Sequence, residues 1–247
     1  MRETVLEAAK AELAPRGVLR AAINLGNFLL VTGRTPSGDP EGVAPDMARA
    51  AAERLGVAVR FVTYPSPSAL AAAVEADAWD IGLIGAEPQR AAQIAFSPAY
   101  VEIDATYLVP AGSPLASCAE ADRPGVRIAV AAGSAYDLWL ARNIKHAVLV
   151  RAPSGAAAFK LFLDEGLEAL AGLRAGLLND LATAPPGARV LAGRFTAVQQ
   201  AIGTPRRHRA APAFLRAFVE EAKATGAAAA LLARHGVADR LSVAPPA

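Results

Sequence analysis

Strand-like and helical runs alternate along this chain, and that alternation constrains its fold more than any single motif does. The apolar run "VLRAAIN" (18–24) is followed by "PDMARAAAERLG" (45–56), where Pro45 suits a first helical turn and Gly56 a C-terminal stop. "VAVRFVTY" (57–64), a serine-started helix from Ser68 to about residue 76, and the strand "DIGLIGA" (80–86) continue the order. A β-α-β-α-β rhythm predicts a mostly parallel sheet covered by helices on both faces. After "ATYLVPAGSP" (105–114) a second series begins. It comprises a strand over 126–133, a helix from Ser134 to about residue 143, the strand "AVLVRA" (147–152), a helix around 156–165 and the segment "LEALAGL" (167–173). Each series can close its own sheet, so two α/β lobes are expected.

The last third completes the topology. "FTAVQQAIGTP" (195–205) reads as an extended segment returning to the first lobe, and 211–226 and 227–236 read as helices stopped by Gly226 and Gly236. Lobe 1 is therefore expected over 1–109 plus 203–247, and lobe 2 over 110–202 with the second hinge strand included. The linkers are "ATYLVPA" and "FTAVQQAIG", and two crossings make a hinge. Residues 1–16 read as an amphipathic helix packed on lobe 1, with Val5, Leu6, Ala9 and Leu13 on its apolar side and Pro15 to Gly17 ending it. That stretch has neither an apolar core segment nor a small-residue cleavage site, so no secretory signal is expected in it.

Composition removes several function classes. With 247 residues, 53% of them hydrophobic, the chain is long enough for a core in each lobe. It has no unbroken apolar stretch near the roughly 20 residues that span a bilayer. The single Cys118 cannot form an internal disulfide and reads as an incidental thiol. His146, His208 and His235 have no metal-ligand spacing, so neither a metal nor a cofactor is expected. A formal net charge of +2 provides no basic face for nucleic acid, and the one basic cluster, "PRRHR" (205–209), reads as a solvated loop. Trp79, Trp139, Tyr100 and Tyr107 are expected to be packing residues.

One arginine stands out. In "EPQRAAQIAFSPAY" (87–100), Arg90 follows the end of an apolar strand. A guanidinium placed there either makes a surface ion pair, with Glu87 for instance, or receives an anion. In open α/β sheets ligands collect at the carboxyl ends of the strands.

Four segments then carry a resemblance: "GVLRAAIN", "GVAPDMARAAAERLGVAVRFV", "AWDIGLIGAEPQRAAQIAFSPAYVEIDATYLVP" and "VRIAVAAGSAYDLWL". In order and spacing, over roughly residues 17–236, the chain resembles the family 3 extracellular solute-binding proteins of ABC transporters, the polar amino-acid binding proteins. The resemblance implies the type 2 periplasmic-binding-protein fold, two Rossmann-like lobes joined by a two-strand hinge. It implies a binding protein, not an enzyme: a monomer that takes a small carboxylate-bearing solute in an interlobe cleft by hinge closure and delivers it to ABC transporter membrane subunits. A periplasmic location follows from the family. Because no signal segment is read in the chain, a cytoplasmic ligand-sensing module of the same fold is the alternative.

By position, the resemblance makes Arg90 the holder of the ligand's α-carboxylate. The geometry suits the role, since a planar guanidinium gives two parallel charge-assisted hydrogen bonds. Gly85, Ala86 and Glu87, in a loop two residues shorter than the family's, would offer backbone groups only. Asn24 stands where the family places an acid, and Asn27 or Phe28 where an aromatic stacks on the ligand; an asparagine after a strand is also an ordinary turn former. Ser134, Ala135 and Tyr136 open a helix whose amides form an anion site, with Ser134 also suited to be a plain N-cap. In "GLEALAGLR" Glu168 lies near the first acid of the family's ammonium-binding segment, while the second acid is missing and Arg174 stands close to its place. The expected ligand is thus a carboxylate without an exposed ammonium, such as a dicarboxylate bridging Arg90 and Arg174. Of Gln199 and Gln200 in the second crossing, one is expected to face the ligand. A cyclohexadienyl-dehydratase-like enzyme using Glu87, Glu102 or Glu168 is the remaining reading.

Overall fold

Residues 3–247 are described by a computed structural model in which the chain divides into two units: unit 1, Met1–Glu102 with Gln199–Ala247, and unit 2, Ile103–Val198. Met1 and Arg2 of the expected N-terminal helix lie outside the described residues. The elements come in the order that the alternation implied. They are α1 (Glu3–Leu13), β1 (Val18–Asn24), a small hairpin of β2 (Gly33–Arg34) and β3 (Pro40–Glu41), α2 (Val43–Leu55), β4 (Ala58–Tyr64), α3 (Pro67–Ala72) and β5 (Ile81–Gly85). The long β6 (Ile94–Val109) leaves unit 1 and enters unit 2, which continues with β7 (Arg127–Ala131), α4 (Ala135–Asn143), β8 (Val148–Ala152), α5 (Gly155–Asp164), β9 (Ala169–Leu173), α6 (Arg174–Leu181) and β10 (Arg189–Val190). β11 (Thr196–Pro205) returns to unit 1, which ends in α7 (Ala211–Ala224), α8 (Ala227–Arg234) and β12 (Ser242–Val243).

In unit 1, β1 lies between β4 and β5, parallel to both, with Asn24 level with Tyr64. β5 then pairs antiparallel with the returning β11, Gly85 opposite Gln200. In unit 2, β7 lies parallel between β8 and β9, and β9 runs antiparallel to β6. The sheets are thus parallel where helical crossovers join their strands and antiparallel at the two strands shared between units.

Period-two alternation explains how unit 2 packs. Ile128 and Val130 of β7, Ala169 and Ala171 of β9, and Tyr107 and Val109 of β6 enter one core with Leu140; the intervening Ala129, Leu170 and Leu108 enter another with Phe162 and Leu177. In unit 1, α2 buries Met47, Ala48, Ala51, Ala52 and Leu55, a helical stripe ended by Gly56 at φ 64°. The helix begins two positions before Pro45, at a Gly42 whose φ of 143° and 2.4 Å Cβ approach to the Leu30 carbonyl exclude any side chain. Trp79 is fully buried and donates its indole N–H to the Leu70 carbonyl at 3.0 Å, so it is a core residue as expected. Tyr100 and Tyr107 are likewise core.

Besides the short strands β2, β3, β10 and β12, which were not expected, two longer elements differ from expectation. The segment read from residue 105 as a linker is the end of a strand that begins at Ile94 and passes through Pro98, a residue that cannot donate to a ladder. Beside it the Ser97 hydroxyl accepts the Ile202 amide at 3.1 Å and donates to the Pro98 carbonyl at 2.7 Å. The other is α6, which starts at Arg174 where no helix was expected.

Candidate functional site

β1 and β5 are parallel, so their exits bring Asn24, Asn27, Phe28, Gly85, Ala86, Glu87 and Arg90 to the same carboxyl edge of unit 1's sheet. Beyond Gly85 the chain makes a short turn into a 3-10 turn over Arg90–Ala92, closed by the Arg90 and Ala91 amides donating to the Glu87 carbonyl at 2.9 and 3.0 Å. Arg90 is only 7% exposed, and its Nη1 donates to the Gly85 carbonyl at 2.6 Å. Burial pulls its pKa down to about 10, and the negative charge of Glu87 opposes that shift. At neutral pH the group remains a guanidinium cation, built into the fold rather than waving at the surface.

Gly85 and Ala86 act mainly on this arginine. The Gly85 carbonyl orients it, and the Ala86 amide donates to Gln199 at 2.7 Å, pinning the strand end to β11. Asn24 and Asn27 are turn formers: their Oδ1 atoms accept the amides of Gly26 at 3.0 Å and Leu29 at 3.2 Å. Between these turns Phe28 is 44% exposed, an uncommon state for a phenylalanine. Gln199 donates to Glu102 at 2.9 Å, while Gln200 is buried.

In unit 2, Ser134 is the N-cap of α4, accepting the Asp137 amide at 3.1 Å and donating to the Ala131 carbonyl at 2.8 Å. Asp137 reaches back to the Gly133 amide at 2.8 Å and also accepts from Arg151 Nε at 2.9 Å. The Ser-x-x-Asp spacing of "SAYD" resembles a capping box, with the acid taking the amide one residue before the N-cap. It places a carboxylate of the protein's own at the helix start, and among the described residues the Ala135 and Tyr136 amides are the first-turn donors left over. Burial raises the Tyr136 pKa, with a hydrogen bond to Ser134 acting against it. Phe195 contacts both Tyr107 and Trp139, with ring centroids 4.6 and 5.5 Å away.

Arg174 and Glu168 are occupied structurally. Arg174 starts α6 and donates to the carbonyls of Leu191, at 3.2 Å, and Gly193, with Asp104 3.7 Å away. It fastens the 191–193 turn, a role no local pattern announced. Glu168 takes the backbone amide, Nε and Nη2 of Arg127 at 2.8, 3.0 and 2.9 Å, and those bonds hold its carboxyl below the usual range. Among the described residues no cluster of side chains has the makings of a metal site.

Two α/β units connected through two strands, with a buried arginine at the carboxyl edge of one parallel sheet, define the type 2 periplasmic-binding class. The model of the bacterial extracellular solute-binding proteins, family 3, matches residues 28–238, and the chain belongs to that family. Solved structures agree on the fold. A mutant of ArgBP from T. maritima superposes with a TM-score of 0.72 at 20% identity, covering 92% of this chain and 99% of its own. A binding component of an ABC transporter from Wolinella succinogenes, complexed with lysine, gives 0.72 at 20% identity over 89% and 95%. The ancestral amino acid-binding protein AncCDT-1, a precursor of cyclohexadienyl dehydratase, gives 0.72 at 20% over 94% and 99%. No curated protein matches the sequence.

Proposed function

We propose that this chain is the solute-binding component of an ABC importer and that its ligand is an amino acid or a close carboxylate-bearing relative. The observation that carries the reading is Arg90: a buried cation, oriented by Gly85, at the edge where open α/β sheets gather ligands. A guanidinium is a planar donor, and a ligand carboxylate can take two parallel charge-assisted hydrogen bonds from it. The solved relatives named for amino acids support the same class. The dicarboxylate reading loses support because Arg174 is committed to Leu191, Gly193 and Asp104. The protein binds its solute without transforming it. Glu168, one of the acids an enzyme of this fold would use, is held as a carboxylate by Arg127, opposite to what a general acid requires. We place it outside the cytoplasm, where an importer meets its solute, with the transporter's membrane subunits as its partners.

The test is a thermal-shift screen of amino acids, dicarboxylates and keto acids on the wild type and on Arg90→Ala, with the ligand-free melt as a folding control. A ligand at about 100 times its dissociation constant adds roughly 2.7 kcal/mol to the wild type. That gain should vanish in Arg90→Ala; a hit surviving the substitution would remove the arginine from the site.

A further inference from the structure

We infer that residues 242–247 form a strap that stiffens the strand leaving unit 1 as far as Glu102, so that the strand bends at Ile103 and Asp104. The long β6 carries the chain from one unit into the other, and different neighbours hold it along its length. β12 pairs with it at Val101 and Glu102, and the Ala244 amide donates to the Tyr100 carbonyl at 3.3 Å. β9 takes over at Ala105 and continues to Leu108. Between those two ladders stand Ile103 and Asp104, held by neither. Backbone with fewer ladder hydrogen bonds gives up less when it deforms, so the interruption marks the place where β6 yields.

The strap is fastened at both ends. Ahead of it Val237 and Leu241 are buried, and the Leu241 amide donates to the Val237 carbonyl at 3.0 Å. Beyond it Lys223 of α7 donates to the Pro245 carbonyl at 2.7 Å. That lysine's side chain is only 4% exposed, with Glu220 2.8 Å from the same ammonium. A buried ammonium is costly without acceptors, so Lys223 and the Pro245 carbonyl keep each other in place. Pro245 and Pro246 have no N–H to donate, which ends the ladder at Ala244.

Covering the edge of β6 needs only the ladder; the lysine beyond it turns the cover into a brace. Glu102, the last strapped residue, is also tied to the returning strand by its bond from Gln199. Without the strap, bending spreads back to Tyr100. Under the solute-binding reading above, the strap thereby sets how freely the units move about their shared strands, and with it how fast solute is exchanged. That consequence rests on the reading; the strap itself does not.

The experiment needs no solute. Hydrogen exchange is followed on the full chain, on Lys223→Met, which keeps the stem and removes the ammonium, and on a chain ending at Leu241. In parallel, spin labels at Glu53→Cys of α2 and Lys160→Cys of α5, both exposed positions, report the spread of distances between the units in a Cys118→Ser background. Both strap variants should speed exchange at residues 100–102 by about tenfold, the worth of about one hydrogen bond, leave 105–108 unchanged and broaden the distance distribution. Ser66→Ala, which removes the N-cap of α3, weakens unit 1 without touching the strap and should change neither readout. Unchanged exchange at 100–102 in Lys223→Met would overturn the strap, whether or not the shortened chain folds. Faster exchange with an unaltered distance distribution would leave β12 as edge cover and overturn its effect on bending. Equal broadening by Ser66→Ala would assign the motion to the overall stability of unit 1 and overturn the strap's part in it. A failure here leaves the reading of Arg90 standing, and a failed ligand screen leaves the strap.

Discussion

Tyr100 sits fully buried on β6 with a hydroxyl that has no hydrogen-bond partner among the described residues, and burial pushes its pKa up. Leaving such a group unsatisfied costs about 1–3 kcal/mol. Tyr100→Phe should therefore be neutral or stabilising by up to about 1 kcal/mol in denaturant titrations. A loss of similar size would mean that an ordered water serves the hydroxyl. Gly203 on β11 is the opposite case. An added Cβ would stand 2.3 Å from Ile94 Cγ2 and 3.0 Å from Phe96 Cε1, so Gly203→Ala should cost about 1–3 kcal/mol, read as a lowered melting point. At this scale the sequence was informative where a residue's neighbours are local. The place of Arg90 behind the end of a strand was readable, and Asn24 and Asn27 were recognisable as turn formers. The partners of Arg174 were not recognisable, because Leu191 and Gly193 are 17 and 19 residues away and a guanidinium's carbonyl partners leave no pattern.

Helix ends show the same division. Ser134 caps α4 from within its own segment, and Ser134→Ala should cost about 1 kcal/mol. Helix α7 has no side-chain cap of its own; Glu12 of α1 fills the place, accepting the amides of Arg209, Ala210 and Ala211 at 2.9–3.1 Å. Burial pushes the Glu12 pKa up, but those amides, helped by His208, outweigh it and leave the pKa lowered from 4.5. A lowered carboxyl pKa contributes stability that is fully present above the unfolded value and lost as pH falls through the folded one. Glu12→Gln should thus melt below the wild type at pH 7, by about 1 kcal/mol as for a lost cap, with the gap closing as pH falls from 4.5 through the lowered value. A gap that stays constant down to pH 3 would refute the account. The strand and helix rhythm was readable because apolar periodicity is local. The cap was not, since 197 residues separate Glu12 from Arg209.

The chain crosses between its units inside continuous strands, and this is why the expected boundaries at 109 and 203 differ from the observed 102 and 199. Extended backbone keeps the same alternation whichever core its side chains enter, so nothing in the sequence marks the changeover. Unit 1 nevertheless has what an independent fold requires. Its core gathers Ala22, Leu70, Val74, Trp79, Ile84 and Ile94, and its two chain segments are stitched by the β5–β11 ladder, by β12 pairing with Val101 and Glu102, and by Glu12 on α7. The points where the chain leaves and returns are adjacent, with Gln199 Nε2 donating to Glu102 Oε1 at 2.9 Å. A short flexible linker can therefore join Glu102 to Gln199 at little entropic cost. A chain with Ile103–Val198 replaced by such a linker should unfold in one cooperative thermal transition and give a dispersed amide NMR spectrum, as a unit with its own core does. A broad melt with collapsed amide dispersion would show that unit 1 folds only with unit 2 attached, and that the shared strands, not the separate cores, set the cooperative unit.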